Sequence, residues 1–189
     1  MNGQPSIVLV IDDDPSIRES LESLFRSVGP AVRLFSSAQD FLESSRPEGP
    51  ACLVLDVRLP GQSGLEFQRA IADSEYPIPV VFITGHGNIP MSVAAMKAGA
   101  VEFLTKPFRD QDLLDAVHKG IEIHREWLAD SEILADLNKR FNSLKPREQE
   151  VMALVAVGRL HKQIAYDLQL SEVPAKVHMA QVLRKMQQT

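Results

Sequence analysis

Apolar residues over positions 1–120 follow two alternating rhythms. Short runs rich in Val, Ile and Leu occupy 6–11, 31–35, 51–57, 79–84 and 101–104. Amphipathic or alanine-rich stretches lie between them at 15–27, 37–44, 64–74 and 89–98, with a further one from Asp110 onward. The runs at 7–11, 52–55 and 80–83 are apolar at every position. A strand with one wet face alternates, whereas a strand covered by helices on both faces does not. Strand and helix in strict alternation therefore predict an α/β fold, a five-stranded doubly wound parallel sheet with right-handed crossovers.

Turn residues fall where this reading needs them. Pro15 sits in the first turn of its helix, where no N–H is missed, and Val28-Gly29-Pro30 ends that helix. Arg46-Pro47-Glu48-Gly49-Pro50 reads as a loop. Beyond Asp110 no stop signal occurs until about Asn142, although Gly120 weakens a helix by about 1 kcal/mol relative to Ala. Leu113, Leu114, Val117, Ile121, Leu128, Leu134, Leu137 and Phe141 keep helical spacing, which predicts one long connecting helix with a coiled-coil or domain-packing face. From Ser143 the pattern is helical throughout, at 146–157, 161–168 and 171–186. Gly158 closes the first of these helices, Gln169-Leu170 makes a short turn, and Ser171 is placed to cap the third. Three short helices with tight turns form a helix-turn-helix pattern. The expected division is 1–122, a linker helix at 123–142, and a small all-α domain at 143–189.

Composition sharpens this picture in two places. Net charge is −5, but the segment from Ser143 holds seven Lys and Arg against four Asp and Glu, so it carries +3 and the rest carries −8. A basic tail on an acidic body suits contact with phosphates. The single Cys52, set among apolar residues, reads as a small core residue in a reducing compartment. No apolar run is long enough for a membrane span, and the N-terminus lacks the layout of a signal peptide, so cytoplasm is the expected location. The five histidines (His86, His118, His124, His161, His178) show no metal-ligand spacing.

In an open parallel sheet, ligands bind beyond the carboxyl ends of the strands. There the sequence places Asp12-Asp13-Asp14, Asp56, Thr84 and Lys106-Pro107. Clustered carboxylates repel one another unless a cation joins them, and oxygen-only ligands favour a hard ion, with Mg²⁺ the natural choice. A carboxylate beside such an ion can attack phosphorus to form an acyl phosphate. Thr84 and Lys106 are the neighbouring groups able to stabilise the charge that develops.

Four separated segments now carry a resemblance. Val10-Ile11-Asp12-Asp13-Asp14-Pro15, Leu55-Asp56-Val57-Arg58-Leu59-Pro60-Gly61-Gln62-Ser63-Gly64, Ile83-Thr84-Gly85-His86-Gly87 and Phe103-Leu104-Thr105-Lys106-Pro107-Phe108 resemble, in order and spacing, the receiver domain of two-component response regulators, a flavodoxin-like fold. The resemblance covers about residues 5–122. It implies that Asp56 accepts a phosphoryl group from a phosphohistidine on a sensor histidine kinase. It implies Mg²⁺ held by Asp12, Asp13, Asp56 and the backbone carbonyl of Arg58. It implies further that Thr84 and Lys106 engage the phosphoryl group, that the Lys106-Pro107 bond is cis, and that Phe103 turns inward as Thr84 moves. Asp14 matches no ligand position and reads as a solvated carboxylate.

The tail resembles the LuxR-type DNA-binding domain through Leu144-Lys145-Pro146-Arg147-Glu148-Gln149-Glu150-Val151, Gly158, Lys162-Gln163-Ile164-Ala165, Leu168, Ser171-Glu172-Val173 and Lys176-Val177-His178. With the receiver it is similar to the FixJ/NarL class. In that class the helix starting near Ser171 enters the major groove of promoter DNA, so Lys162, Ser171, Lys176, His178, Arg184 and Lys185 are the expected contacts. Three positions depart from the pattern. Pro174 replaces a usual Thr, Ala175 a usual Val, and Met179 a frequent Arg. The family's fourth tail helix has no counterpart here, which predicts an incomplete reader.

The expected function is thus a phosphorylation-activated transcriptional regulator, dimeric when phosphorylated, and not an enzyme beyond its own phosphoryl chemistry. A second reading keeps the switch but has it act through protein contacts, with a defective DNA reader. A third, a haloacid-dehalogenase-like phosphatase, is superficially matched by Asp12, Asp14, Thr84 and Lys106, but it leaves Asp56 without a role and lacks the acidic motif after the lysine.

Overall fold

The computed structural model describes residues 5–187. Five strands form one sheet: β1 (Ile7–Ile11), β2 (Ala31–Phe35), β3 (Ala51–Asp56), β6 (Val80–Thr84) and β7 (Glu102–Thr105), with a small pair β4 (Arg58–Leu59) and β5 (Gln62–Ser63) between β3 and β6 in the chain. The sheet order is β2-β1-β3-β6-β7, and every neighbouring pair is parallel. Helices α1 (Pro15–Val28), α2 (Ala38–Glu43), α3 (Gly64–Ala72), α4 (Ile89–Lys97) and α5 (Asp110–Asn142) connect or follow the strands. The expected sheet and helices are present to within a residue or two. The unanticipated element is the β4–β5 hairpin, an antiparallel pair turning at Gly61 with φ of 81°.

Period-2 geometry sorts the strand residues onto two cores. Leu9, Ile11, Leu53, Leu55, Val80 and Phe82 face α2, α3 and α4, packing with Ala38, Phe67, Ile71 and Ala95. Val8, Val10, Cys52, Val54, Val81 and Ile83 face the other way, against Leu21 and Phe25 of α1 and Leu113, Val117 and Ile121 of α5. The unbroken apolar runs read from the sequence are therefore strands buried on both sides. Chain order reverses between β1 and β3, which puts a crevice at their carboxyl ends.

Local chemistry fixes the helix starts. Asp14 is exposed, as a solvated carboxylate should be, and its Oδ1 also accepts the N–H of Ser16 at 2.8 Å and caps α1. Ser37 caps α2 and Asn88 caps α4 in the same way. Gly64 opens α3 because the chain passes so close to β3 that a Cβ there would lie 2.5 Å from the Asp56 carbonyl oxygen.

Helix α5 runs unbroken for 33 residues, about 50 Å at 1.5 Å per residue, as its spacing predicts. Gly120 does more than weaken it. A Cβ at that position would stand 2.5 Å from Cys52 Sγ, so glycine lets α5 lie against β3. One turn on, His124 is fully buried, and its Nδ1 accepts the Ala51 N–H at 2.8 Å. Its ring stacks on Trp127, 8° from parallel, and meets the Tyr76 ring edge-on at 5.1 Å. Burial pushes the His124 pKa down to about 4.

The chain divides into two compact units, one through Leu128 and one from Ala129. In the second, α6 (Pro146–Ala156), α7 (His161–Asp167) and α8 (Glu172–Gln187) pack around Leu144, Val151, Ile164 and Val182. Gly158, with φ of 78°, closes α6, and Gln169, with φ of 53°, makes the turn between α7 and α8. Ser171 stands just ahead of α8, and its carbonyl accepts the Ala175 N–H at 3.3 Å. Pro174 is tolerated because it lies in the first turn.

Helix propensity alone predicts that Gly120→Ala gains about 1 kcal/mol. The contact with Cys52 reverses the sign, and the substitution is expected to cost about 1–3 kcal/mol in a urea denaturation series. A midpoint equal to or above that of the parent would contradict the close approach.

A pH series tests the buried imidazole. His124 titrates at about 4 in the fold against an ordinary 6.5, so between these values the unfolded chain binds more protons. Stability from this group is complete above pH 6.5 and declines as pH falls toward 4. His124→Asn should flatten that part of the profile, measured as the difference in urea midpoint between pH 7 and pH 4.5.

Candidate functional site

The crevice at the β1/β3 reversal collects the acidic residues. Asp12 follows β1 directly, Asp13 comes next, and Asp56 ends β3. One carboxylate oxygen from each lies within 4.8 Å of the others. Asp12 is fully buried, Asp13 is exposed, and the Asp56 side chain is 13% exposed. The loop after β7 brings Lys106 to the same place, with Nζ 2.9 Å from Asp12 Oδ2 and 3.1 Å from Asp56 Oδ2. The Lys106-Pro107 peptide bond is cis.

These charges set one another's ionisation. Burial raises the Asp12 pKa above the usual carboxylate value, and the hydrogen bonds from Lys106 and from the Asp14 N–H offset this only in part. For Lys106, burial works against the charge, but the bonds to Asp12 and Asp56 outweigh it and hold the ammonium above its ordinary pKa. A single ammonium thus stands against three carboxylates. That donor set, all hard oxygen, fits a hard divalent cation such as Mg²⁺.

The remaining predicted residues surround this cluster. The Arg58 N–H donates to Asp56 Oδ1 at 3.0 Å, which brings the backbone of Arg58 to the rim. Thr84 ends β6 with 1% exposure; its Oγ1 accepts the His86 N–H at 3.2 Å, and its carbonyl accepts the Lys106 N–H at 2.8 Å. Phe103 lies half-buried on β7, 6.0 Å from the Phe82 ring.

Two contributors went unrecognised in the sequence. A Cβ on Gly87 would fall within about 3 Å of Thr105 Cγ2, Phe103 Cε1 and Thr84 Cγ2, so glycine leaves the space in which Thr84 and Phe103 meet. Its place in the Thr84-Gly85-His86-Gly87 string was the available signal. Arg18, from α1, donates to the Asp12 carbonyl at 2.6 Å; an arginine on an exposed helix face offers no such signal.

In the second unit, Lys162, Ser171, Lys176 and Arg184 are exposed. Lys176 and Arg184 share one face of α8 with Ala180 at i, i+4 spacing, flanked by Val173 and Val177, which are 71% and 50% exposed. His178 is half-buried. Lys185 is engaged inside the unit, its ammonium 2.6 Å from Glu148 Oε2. That bond, with the Lys145 N–H at 2.8 Å, holds the Glu148 carboxylate below its usual pKa. Met179 and Ala175 point inward: Met179 packs on the small core and Ala175 is buried.

Residues 8–118 match the model for the response regulator receiver domain, and residues 142–189 match that for bacterial regulatory proteins of the luxR family. The chain is a two-component response regulator. It is 52% identical to nodulation protein W of Bradyrhizobium diazoefficiens, over 96% of this chain and 80% of that one. With the transcriptional regulatory protein FixJ of Rhizobium meliloti it shares 39% identity over 95% of this chain and 88% of the other. Among solved structures, the response regulator StyR aligns over 97% of this chain and 92% of its own with a TM-score of 0.81 at 48% identity. The receiver and LuxR-type modules together make it a phosphorylation-activated transcriptional regulator. Asp56, which the phosphatase alternative leaves idle, sits inside the acidic cluster, and no helix among the described residues is long and apolar enough to cross a membrane.

Proposed function

We propose that Asp56 is the phosphoryl acceptor and that its modification controls a promoter-binding tail. The observation that carries this reading is the convergence of Asp12, Asp13, Asp56 and Lys106 at the sheet's reversal point, where Asp56 is the partly accessible carboxylate already held by Lys106. The donor is a sensor histidine kinase. A P–O bond forms to Asp56 as the P–N bond of the kinase's phosphohistidine breaks. Asp12, Asp13, Asp56 and the carbonyl of Arg58 would hold Mg²⁺, which when bound neutralises carboxylate and phosphoryl oxygens. Lys106, placed between Asp12 and Asp56, takes up a phosphoryl oxygen.

Thr84 supplies the switch. Its hydroxyl exchanges the His86 N–H for the phosphoryl group, and Phe103 turns into the space that Gly87 leaves free. The two positions of this pair form a bistable element. The surface it controls includes α4, where Ile89, Val93 and Met96 are exposed. This face is the reading's candidate for pairing two phosphorylated copies.

In the domain division at 1–122, 123–142 and 143–189, the last segment reads double-stranded promoter DNA. Lys162, Ser171, Lys176 and Arg184 contact phosphates or bases from exposed positions, with His178 beside them. Lys185, although in the basic set, serves chiefly through Glu148 in holding the small domain together. The compartment is the cytoplasm, where kinase output and promoter are both reached. A second output, through protein contacts in place of DNA, remains the alternative that the same experiment decides.

Asp56→Asn is expected to abolish magnesium-dependent labelling by acetyl phosphate, and labelling that survives would place the acceptor elsewhere. Selection from a random duplex pool, with and without beryllofluoride and Mg²⁺, is expected to enrich a two-fold symmetric site only when both are present. Weak salt-sensitive binding in both arms would favour the protein-contact output.

A further inference from the structure

The receiver sheet carries a second concave site at its other end, remote from the carboxyl ends where the acidic cluster sits. A cavity of about 270 Å³ opens between α2, α3 and the sheet. Its floor is Leu9, Phe67, Ile71 and Ile78, all almost fully buried. Phe41 forms one side, and Tyr76 and Arg46 stand at the rim. The loop Arg46-Pro47 and the segment that brings Tyr76 and Ile78 into β6 both lie at the amino ends of their strands. Strand β1 is shared, through Leu9, but none of Asp12, Asp13, Asp56, Thr84, Phe103 and Lys106 lines this cavity.

The wall is mainly apolar, and three of its hydroxyls donate to backbone carbonyls, while that of Ser45 accepts from Arg33 at 3.5 Å. Ser44 Oγ donates to the Phe41 carbonyl and Ser74 Oγ to the Ile71 carbonyl, both at 2.7 Å. Tyr76 OH donates to the Pro47 carbonyl at 3.2 Å. The charged group at the rim is Arg46, an exposed side chain. The Arg46 guanidinium lies over the Tyr76 ring, 5.5 Å from its centroid, and among the described residues no carboxylate lies within ion-pair distance of it. An apolar pocket with a single convergent cation is the usual layout of a site that fixes an amphipathic anion. Its volume of about 270 Å³, just below the ~300–1,000 Å³ typical of ligand sites, admits one ring or a short chain. A nucleotide is excluded by size and by the lack of further donors for its phosphates.

We propose that this cavity binds a small monocarboxylate with an apolar body, its carboxylate on Arg46 and its ring or chain against Phe41, Phe67 and Ile71. The site has a built-in connection to helix α5. Tyr76, which forms its rim, touches the His124 ring at 5.1 Å and the Trp127 ring at 5.3 Å. A ligand that draws Arg46 off Tyr76, or shifts that ring, is therefore felt by the turn of α5 that His124 anchors to Ala51.

Trp127 is the single tryptophan of the chain and meets the Tyr76 ring, so its fluorescence reports on the site through that ring. Phenylacetate titrated into the full chain is expected to change Trp127 emission with saturation, and phenylacetamide, isosteric but neutral, to bind on the order of tenfold more weakly. Arg46→Met should weaken phenylacetate by a similar factor and leave phenylacetamide unchanged. Ala70→Phe, which fills the lining without touching the acidic pocket, should abolish both responses. Acetyl phosphate labelling confirms that each variant is folded. A response that does not saturate, equal affinity for the acid and the amide, or an Arg46→Met protein that binds phenylacetate like the parent would overturn the proposal.

Discussion

The structure turns on keeping carboxylates together at the one place where a doubly wound sheet opens. Three acidic side chains within a few ångströms are unfavourable by themselves. Here Asp12 is also fully buried, so its ionised form loses water as well. Lys106 offsets part of this from the far side of the crevice, with bonds to both Asp12 and Asp56. The rest is left for a cation and a phosphoryl group. On the proposed reading, a pocket held short of charge balance responds to binding, because each added charge would change which arrangement of Thr84, Phe103 and Lys106 is favoured. The parallel sheet suits that reading: its central strands are buried on both faces, which gives the rim a fixed base.

The same logic explains why the first domain was so legible. Five short apolar runs, three of them unbroken, separated by amphipathic stretches leave almost no other topology, and the ends of those runs carried Asp12, Asp56, Thr84 and Lys106 in plain view. What stayed hidden depends on close approach between distant segments. Gly120 read as a weak point in a long helix because its reason, Cys52 on β3, lies far away in sequence. His124 read as one of five unremarkable histidines, although its Nδ1 satisfies the Ala51 N–H at the start of β3. Asp14 read as a solvated carboxylate, and it is exposed, but its capping of α1 depends on backbone direction, which a run of three aspartates does not reveal. In each case the residue type was visible and its partner was not.

The tail shows the reverse situation, in which departures from a family pattern look damaging and the fold accommodates them. Pro174 deletes an N–H only in the first turn of α8, where that donor has no intrahelical partner to lose. Met179 takes the place of a cation, but it packs on the core of the small unit with Val182 and Met186, giving apolar cover to a domain whose size makes every buried side chain count. Glu148 and Lys185 contribute an internal bond that joins α6 to α8. The exposed cations from Ser143 onward are Lys145, Arg159, Lys162, Lys176 and Arg184, of which Arg159 faces Asp167 at 3.6 Å. Affinity for a phosphate backbone scales with such contacts and falls with salt, so a reader with few of them gains most from pairing two copies on one duplex. The exposed apolar face of α4 bears on this step: where each tail holds DNA weakly, the element that brings two tails together sets the occupancy of the promoter. On the proposed reading, the few cations of α8 and a phosphorylation-controlled pairing surface would answer the same energetic requirement.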